Sequence, residues 1–236
     1  MRHDSTGSVG RNKKFSRIRR FAIIPVLAMC ITAALTSTAE AKARPYLGLY
    51  TDVAETSWYW NSVESCNTWG LMNGYADGTF RPESYITRAE CATILSRIAV
   101  DNSPRYEIAF DDVANTSWYY NAVSQFGDFM GGCTQVETAS NPWGYAAYFY
   151  PDALATREDF MQGIYIATAA GTHEATQNRS FLDVSSINSE YRENIEHLYR
   201  CGVINGDGNG YFRPKDSITR AEVATILCTL AEWYWI

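Results

Sequence analysis

The sequence predicts an all-α fold built from three copies of one helix–loop–helix unit. The first observation is internal repetition, because an Asp-Val pair is followed 35, 44 and 36 residues later by a Thr-Arg pair in three successive segments. Periods of this size are typical of units that bury their apolar face only against a neighbouring copy. The second is that turn-forming residues separate two helical runs in each segment. The paired positions are Asp52 with Thr87, Asp112 with Thr156, and Asp183 with Thr219.

The composition supports a packed core. The chain has 236 residues, of which 46% are hydrophobic and 14% aromatic, so intrinsic disorder is not expected. Its 7 Trp and 16 Tyr can offer stacking surfaces to a flat ligand or a sugar ring. Core packing is the favoured role for most of these rings, because aromatic side chains dominate core energetics.

The first helix of each unit is predicted near a Ser-Trp-Tyr sequence or its equivalent. In the first copy Tyr59, Val63 and Cys66 share one side of this helix. Gly70, and Gly202 in the third copy, stand where a left-handed cap ends a helix. The loop that follows contains Asn-Gly, Asp-Gly and Arg-Pro, and the residue before a proline disfavours helix.

The second helix has a sharper predicted start. Thr87 with Glu90, and Thr219 with Glu222, match the capping box, in which each residue bonds the backbone of the other. The second copy has a weaker version that ends in Asp instead of Glu. Apolar residues follow at helical spacing, namely Ile94, Leu95 and Ile98 in the first copy and Ile226, Leu227 and Leu230 in the third.

Residues 1–43 are predicted to be a signal peptide. A basic stretch precedes an apolar run of about 15 residues, which is short for a membrane span of roughly 20. Two A-x-A cleavage motifs follow, ending at Ala41 and Ala43. An uncleaved anchor is a less favoured alternative. A lipid on Cys30 is also less favoured, because Met29 fits a lipid-attachment motif poorly.

Cleavage before Arg44 would leave a strongly acidic protein. It removes eight of the 20 basic residues but only two of the 26 acidic ones, and leaves 12 Lys and Arg against 24 Asp and Glu, a net charge near −12. This balance argues against nucleic acid and against binding an anionic surface by bulk charge. No stable membrane insertion is expected after cleavage. An anionic ligand would therefore need a local basic site.

Five cysteines remain after cleavage, and none forms a C-x-x-C motif, so zinc and thioredoxin-like chemistry are not expected. Pairs within a repeat are one interpretation, joining Cys66 to Cys91 and Cys201 to Cys228. Buried free cysteines are an equally good interpretation. An odd count leaves at least one thiol free or paired between chains.

Ordered motifs carry a resemblance to a known family. The first copy has Gly-Tyr-x-Asp-Gly-Thr-Phe-Arg-Pro at residues 74–82 and Ile-Thr-Arg-Ala-Glu at residues 86–90. The third copy has Asn-Gly-Asp-Gly from residue 205, Phe-Arg-Pro from 212 and Ile-Thr-Arg-Ala-Glu from 218. These motifs resemble S-layer homology domains. The resemblance implies three repeats, at 47–99, 110–170 and 181–234, that form a pseudo-threefold prism around a central three-helix bundle with ligand grooves between repeats.

The resemblance also implies a function. The family attaches exported proteins to secondary cell-wall polysaccharide, often pyruvylated, or to modified peptidoglycan. The expected location is the cell wall, S-layer or cell surface, with no cofactor. The alternatives are an adaptor module that binds another surface protein and, more distantly, an enzyme that acts on wall glycan. No catalytic motif supports an enzyme.

Candidate ligand residues cluster at the starts of the second helices. A helix N-terminus carries unpaired N–H groups and partial positive charge, so an arginine there makes a local anion trap. Solvation, or pairing with nearby acids, is the competing interpretation. The three Asp residues are favoured to cap the first helix or to bond loops, although the resemblance implies that they and the following Trp can face the groove. The full candidate set is Arg88, Arg157, Arg220, Asp52, Asp112, Asp183, Trp58, Trp118, Thr87, Thr219, Gly74, Asp77, Gly206 and Asp207.

The copies are unequal. The second lacks the Asp-Gly-Thr-Phe-Arg-Pro loop, has Tyr150 where the others have Arg81 and Arg213, and carries an Asn-Pro-Trp-Gly insertion at residues 141–144. The third has no Trp before its first helix, where the nearest ring is Tyr191. We therefore expect fewer than three working grooves, with Arg88 and Arg220 favoured over Arg157.

A calcium loop is the remaining alternative. Asn205, Asp207 and Asn209 are spaced like the start of such a loop, but its twelfth position is Asp216 in place of the bidentate Glu. A turn explains these residues better.

The repeats fill the sequence after the signal, so no separate cargo domain is visible.

Overall fold

The structure is a computed structural model that describes residues 48–101, 110–130, 134–137 and 145–235. The predicted signal peptide, Cys30, Cys133 and the insertion at 141–144 lie outside the described residues. The described chain is dominated by helices, which confirms the all-α class. The helices are α1 (Trp60–Thr68), α2 (Arg88–Ile98), α3 (Tyr120–Phe126), α4 (Arg157–Ala167), α5 (Arg192–Arg200) and α6 (Arg220–Trp235), with 3₁₀ turns at Gly127–Met130, Ala170–Thr172 and Val184–Ser186.

A short antiparallel hairpin in the second copy was not predicted. Its strands are β1 (Thr134–Glu137) and β2 (Tyr145–Tyr148), on either side of the insertion. Only an insertion was predicted here, because four-residue strands give too short an alternation to detect. None of the helices in the described ranges is both long and apolar enough to cross a lipid bilayer.

Local chemistry explains where the second helices begin. At α2 the Thr87 hydroxyl accepts from the Glu90 N–H at 3.2 Å, and Glu90 Oε2 accepts from the Thr87 N–H at 2.8 Å. The same reciprocal pair opens α6, at Thr219 and Glu222. Both predicted capping boxes are therefore confirmed. The two predicted glycine caps, with φ of 69° at residue 70 and 83° at residue 202, are confirmed as well.

The packing of the copies runs in a closed cycle. The second helix of each copy packs against the first helix of the next, as α2 on α3, α4 on α5 and α6 on α1. Three isolated β-bridges follow the same cycle next to the helix starts. The apolar side chains of all three copies join in one core. The prism with a central three-helix bundle and the exact repeat boundaries stay predictions.

Close approach of helices within this core depends on one glycine. Helix α2 also packs against α4, where a Cβ on Gly163 would lie 2.2 Å from Leu95 Cδ1. Carbon atoms pack at about 3.5–4.0 Å, so only glycine leaves room for the leucine. The equivalent position holds Ile94 in α2 and Ile226 in α6.

Candidate functional site

The three aspartates that open the copies bind their own loops. Asp52 accepts the N–H groups of Phe80 and Arg81, both at 2.7 Å. The second copy has the same pair of bonds at 2.9 and 2.7 Å, and the third has them both at 2.8 Å. Loop bonding, the favoured interpretation of Asp52, Asp112 and Asp183, is what the structure shows for these side chains.

These bonds stabilise an unfavourable backbone conformation. The second residue of each pair has a positive φ, 57° at Arg81, 56° at Tyr150 and 56° at Arg213. A non-glycine residue in this region costs about 1–2 kcal/mol. A carboxylate that accepts two successive N–H groups offsets that cost, because hydrogen bonds to charged groups are the strong ones.

The arginines at the helix starts connect each copy to the next. Arg88 Nε donates to the Phe149 carbonyl, Arg157 Nε to Phe212, and Arg220 Nε to Phe80, each at 2.8 Å. The guanidinium also lies over the phenylalanine ring in each case, 4.5–5.4 Å from the ring centre. The predicted anion traps are therefore partly occupied by structural bonds between copies.

Arg88 and Arg157 also have carboxylate partners. Arg88 is 6% exposed and donates to the Met130 carbonyl at 3.2 Å and to Asp159 Oδ2 at 3.1 Å. Burial raises the pKa of the Asp159 carboxyl, although the Arg88 charge opposes that shift. Arg157 Nη1 lies 2.6 Å from Glu222 Oε1. Pairing with nearby acids, the competing interpretation, describes both.

Arg220 differs from the other two. Its Nη2 donates to the Asn73 carbonyl at 2.7 Å, and no carboxylate in the described part of the chain pairs with it. The equivalent acid of the neighbouring copy, Glu90, accepts the Thr87 N–H in the capping box and forms no ion pair with Arg220. Arg220 is as buried as Arg88, at 6% exposed, but its positive charge has no anionic partner among these residues.

A cleft of about 170 Å³ lies where the three copies meet at Arg220. The Trp118 side chain forms one wall, is 68% exposed and stands edge-on to the Tyr119 ring. Arg97 is also exposed at the cleft and donates to the Leu71 carbonyl. The lining residues are Met72, Asn73, Glu90, Thr93, Ile94, Arg97, Trp118 and Arg220.

Most of this lining, including Arg97, was not predicted as a ligand site from the sequence. The signal was available, because Glu90, Thr93, Ile94 and Arg97 recur at i, i+3, i+4 and i+7 and so share one face of α2. What the sequence could not show is that this face lies beside Trp118 from the second copy.

The equivalent positions in the other two copies are less suited to a ligand. Glu190 replaces the tryptophan in the third copy, and Tyr191 is only 6% exposed, so no stacking surface faces α4. The polar groups of α4 are bound internally as well, with Gln162 accepting from Asn194. Trp58 is 65% exposed, but the arginine equivalent to Arg220 at the Trp58 position is Arg157, which is already paired with Glu222.

The glycines and acids of the loops hold those loops together. Asp77 accepts from the Thr79 side chain and N–H and pairs with Arg81 at 2.9 Å, which lowers the pKa of its carboxyl to about 2. Asp207 accepts two backbone N–H groups and pairs with Arg213, which also lowers the pKa of its carboxyl. Side chains on the two glycines would collide with neighbouring carbonyls, at residues 74 and 206.

Metal ligands and disulfides were both considered from the sequence. No group of three or more His, Cys, Asp or Glu side chains is suitably arranged for a metal within the described residues. Cys66, Cys91, Cys201 and Cys228 are free thiols in the structure, and the first three are buried. The structure therefore matches the interpretation of buried free cysteines more closely than the predicted pairs within a repeat.

Comparison with known proteins identifies the repeats. A family model described as S-layer homology domain matches residues 49–92 and 180–224. The amylopullulanase of Thermoanaerobacterium thermosulfurigenes is 26% identical over 205 residues, 86% of this chain and 10% of the relative. The cellulosome-anchoring protein of Acetivibrio thermocellus is 28% identical over 170 residues, 66% of this chain and 34% of the relative.

A third relative, the surface-layer 125 kDa protein of Lysinibacillus sphaericus, is 28% identical over 175 residues, 72% of this chain and 14% of the relative. The chain thus spans about a third or less of the length of each of these proteins. The middle copy lies between the two matched segments. Its Asp112 binds its own loop as the aspartates of the matched copies do, and its Arg157 donates to the next copy as their helix-start arginines do. Residues 49–92 and 180–224 are thus S-layer homology repeats.

Proposed function

We propose that this chain attaches to the bacterial cell wall by binding a wall polysaccharide in the cleft between Trp118 and Arg220. The observation that carries the proposal is the Arg220 guanidinium, which has no carboxylate partner among the described residues and lies in the same cleft as an exposed indole ring. An aromatic face stacks on the apolar face of a sugar, and a guanidinium binds carboxylate through charge-assisted bonds.

The composition of the cleft favours an anionic saccharide over a neutral one. Arg97 and Arg220 contribute two positive charges, and Glu90 contributes one negative charge that already accepts a backbone N–H. A carboxylate on the sugar, such as a pyruvyl ketal on a secondary wall polysaccharide, would balance the excess positive charge of the cleft. Modified peptidoglycan also carries carboxylates and is the second candidate polymer.

The clefts are proposed to differ in strength. The Trp118 cleft is the principal site, the position beside Trp58 is weaker because Arg157 is already paired with Glu222, and the position beside Glu190 does not bind. This ranking agrees with the expectation of fewer than three working grooves. Of the two arginines that the sequence favoured, Arg88 and Arg220, the proposal keeps Arg220 alone.

The relatives support an anchoring role. They include a cellulosome-anchoring protein and a surface-layer protein, and the predicted location at the cell surface is confirmed by the family. Other relatives are named as enzymes, including the amylopullulanase, of which this chain matches only 10%. We propose that this segment binds without catalysis and that another surface protein is a secondary partner.

The test is sedimentation with purified wall sacculi, before and after the secondary polysaccharide is stripped. We expect retention only on intact sacculi. Trp118→Ala should weaken binding at least tenfold, since a lost stacking contact of about 1.5 kcal/mol corresponds to that factor. Trp58→Ala is the matched control, because that ring is equally exposed and should have a smaller effect.

Three outcomes would each contradict one part of the proposal. Equal retention on intact and stripped sacculi would exclude the secondary polysaccharide and leave peptidoglycan as the polymer. Equal weakening by Trp58→Ala and Trp118→Ala would show that the unpaired Arg220 does not select the cleft. A stoichiometric protein that co-purifies after glycan removal would favour the adaptor alternative.

A further inference from the structure

The closed cycle of copies has one seam that the chain does not bridge. The polypeptide connects the first copy to the second and the second to the third. The third copy returns to the first only through non-covalent contacts, chiefly between α6 and α1. Repeat proteins are stabilised by their neighbour interfaces, so the α1–α6 seam is where the cycle can open without stretching a linker.

Two cysteines meet at this seam. Cys66 lies on α1 with its side chain fully buried, and its Sγ donates to the Ala224 carbonyl of α6 at 3.4 Å. Within a helix that carbonyl also accepts the N–H four residues later, which belongs to Cys228. The Cys66 thiol therefore approaches the carbonyl to which the Cys228 backbone is bonded, one helical turn from Cys228. Burial, together with the nearby Cys228 thiol, raises the pKa of Cys66 to about 12.

The other seams show that this pairing is specific to the unbridged one. The residue that takes the place of Cys66 is Phe126 in α3 and Leu198 in α5. The residue that takes the place of Cys228 is Ser96 in α2 and Tyr165 in α4. Cysteine therefore occurs on both sides of a seam only where no linker joins the copies.

The two remaining described cysteines have different surroundings. Cys91 is fully buried, and the charged groups that affect its pKa are Asp159 and Arg88, not a second thiol. Cys201 Sγ lies 3.4 Å from His197 Nε2. Among the described cysteines, Cys66 is thus the one whose pKa is affected by a second thiol, that of Cys228.

We propose that Cys66 and Cys228 form a disulfide that closes the cycle of copies when the exported chain folds in the presence of a disulfide oxidant. The thiolate of Cys228, which is partly exposed, attacks a small-molecule disulfide and releases one of its thiols. Cys66 then attacks the mixed disulfide and releases the second thiol. Two protein thiols are oxidised to one disulfide, and the small-molecule disulfide is reduced to two thiols.

The cross-link would act on stability instead of ligand binding. It encloses about 160 residues, and closing a loop of that length removes much of the entropy of the unfolded chain. We expect the midpoint of thermal unfolding to rise on the order of 10 °C. Disulfides persist at the cell surface, where the environment is oxidising, which suits this placement. The inference does not depend on which wall polymer is bound.

The test is refolding of the full mature chain from denaturant with glutathione disulfide, followed by alkylation under denaturing conditions and peptide mass mapping. We expect a linked pair of peptides that contain Cys66 and Cys228, with Cys91 and Cys201 alkylated. The oxidised protein should melt higher than the reduced protein, and Cys228→Ser should abolish that difference. Cys201→Ser is the matched control, since it also removes one thiol but should keep the difference.

The proposal would be overturned if both thiols are alkylated after oxidative refolding. A dominant link from either cysteine to Cys133, Cys91 or Cys201 would overturn it as well. Should Cys228→Ser fail to fold, Cys228→Ala and the reductant dependence of the unmodified chain supply the same readout. A melting point that does not respond to reductant, despite a mapped 66–228 link, would refute the stabilising role.

Discussion

Replacement of Arg88 by Met should destabilise the fold more than any other removal of an ion pair in the described chain. The guanidinium is 6% exposed and donates to the Phe149 and Met130 carbonyls and to Asp159. Breaking a buried pair by removing one partner costs about 3–5 kcal/mol, because the other charge stays buried without compensation. For a domain of this size that corresponds to a fall in melting temperature of roughly 10 °C.

The loss should depend on pH in a defined direction. Burial raises the pKa of Asp159, and removing Arg88 removes the charge that opposes this shift. An acid whose pKa is higher in the folded state destabilises the fold above its unfolded pKa, near 3.9, and this penalty disappears as the pH falls below that value. The destabilisation by Arg88→Met is therefore expected to be larger at pH 7 than near pH 4.

Urea unfolding followed by circular dichroism at pH 7 and pH 4 measures both effects. Arg213→Met is the control, because that arginine pairs with Asp207 on the surface and exposed pairs contribute about 0–1 kcal/mol. The double variant Arg88→Met with Asp159→Leu should recover part of the loss. A loss below about 1 kcal/mol at pH 7, or an equal loss at both pH values, would refute this reasoning.

Three further predictions concern the loops and the core. Asp52→Ala removes both bonds to the positive-φ loop and should cost about 2–3 kcal/mol in urea unfolding, whereas Asp52→Asn should cost less. Gly163→Ala places a methyl against Leu95 and should lower stability by about 1–3 kcal/mol. The pKa of Asp77 is lowered to about 2, so the stability that its carboxylate contributes is complete above pH 4 and lost toward pH 2. Asp77→Asn should therefore lower the melting temperature slightly at pH 7 but not at pH 2.

Features set by neighbours in sequence were predictable. The capping boxes at Thr87 and Thr219 need only a hydroxyl and a glutamate three residues apart. The glycine caps need only a residue that accepts a positive φ, as at Gly70 and Gly202. Periodicity then located the second helices. Local rules thus recover the helix–loop–helix unit without knowledge of how copies pack.

Features set by contacts between copies were not predictable. Whether an arginine at a helix start is free depends on an acid more than 60 residues away, as for Arg88 with Asp159 and Arg157 with Glu222. The sequence shows the same Thr-Arg pattern in all three copies and therefore favoured Arg88 as strongly as Arg220. The cleft partner Trp118 comes from a different copy than Arg97, so no local pattern joins them.

The internal ion pairs themselves indicate what the Trp118 cleft can bind. In two of the three copies the guanidinium at the helix start contacts a carboxylate at 3.1 and 2.6 Å. The geometry of this position therefore accepts a carboxylate when one is supplied. At Arg220 the described residues supply none. A ligand carboxylate would occupy the place that Asp159 takes beside Arg88, with the exposed Trp118 ring covering the attached sugar. Under the proposed function, a chain with net negative charge would still select an anionic polymer, because selection would depend on one guanidinium that its own acids do not neutralise.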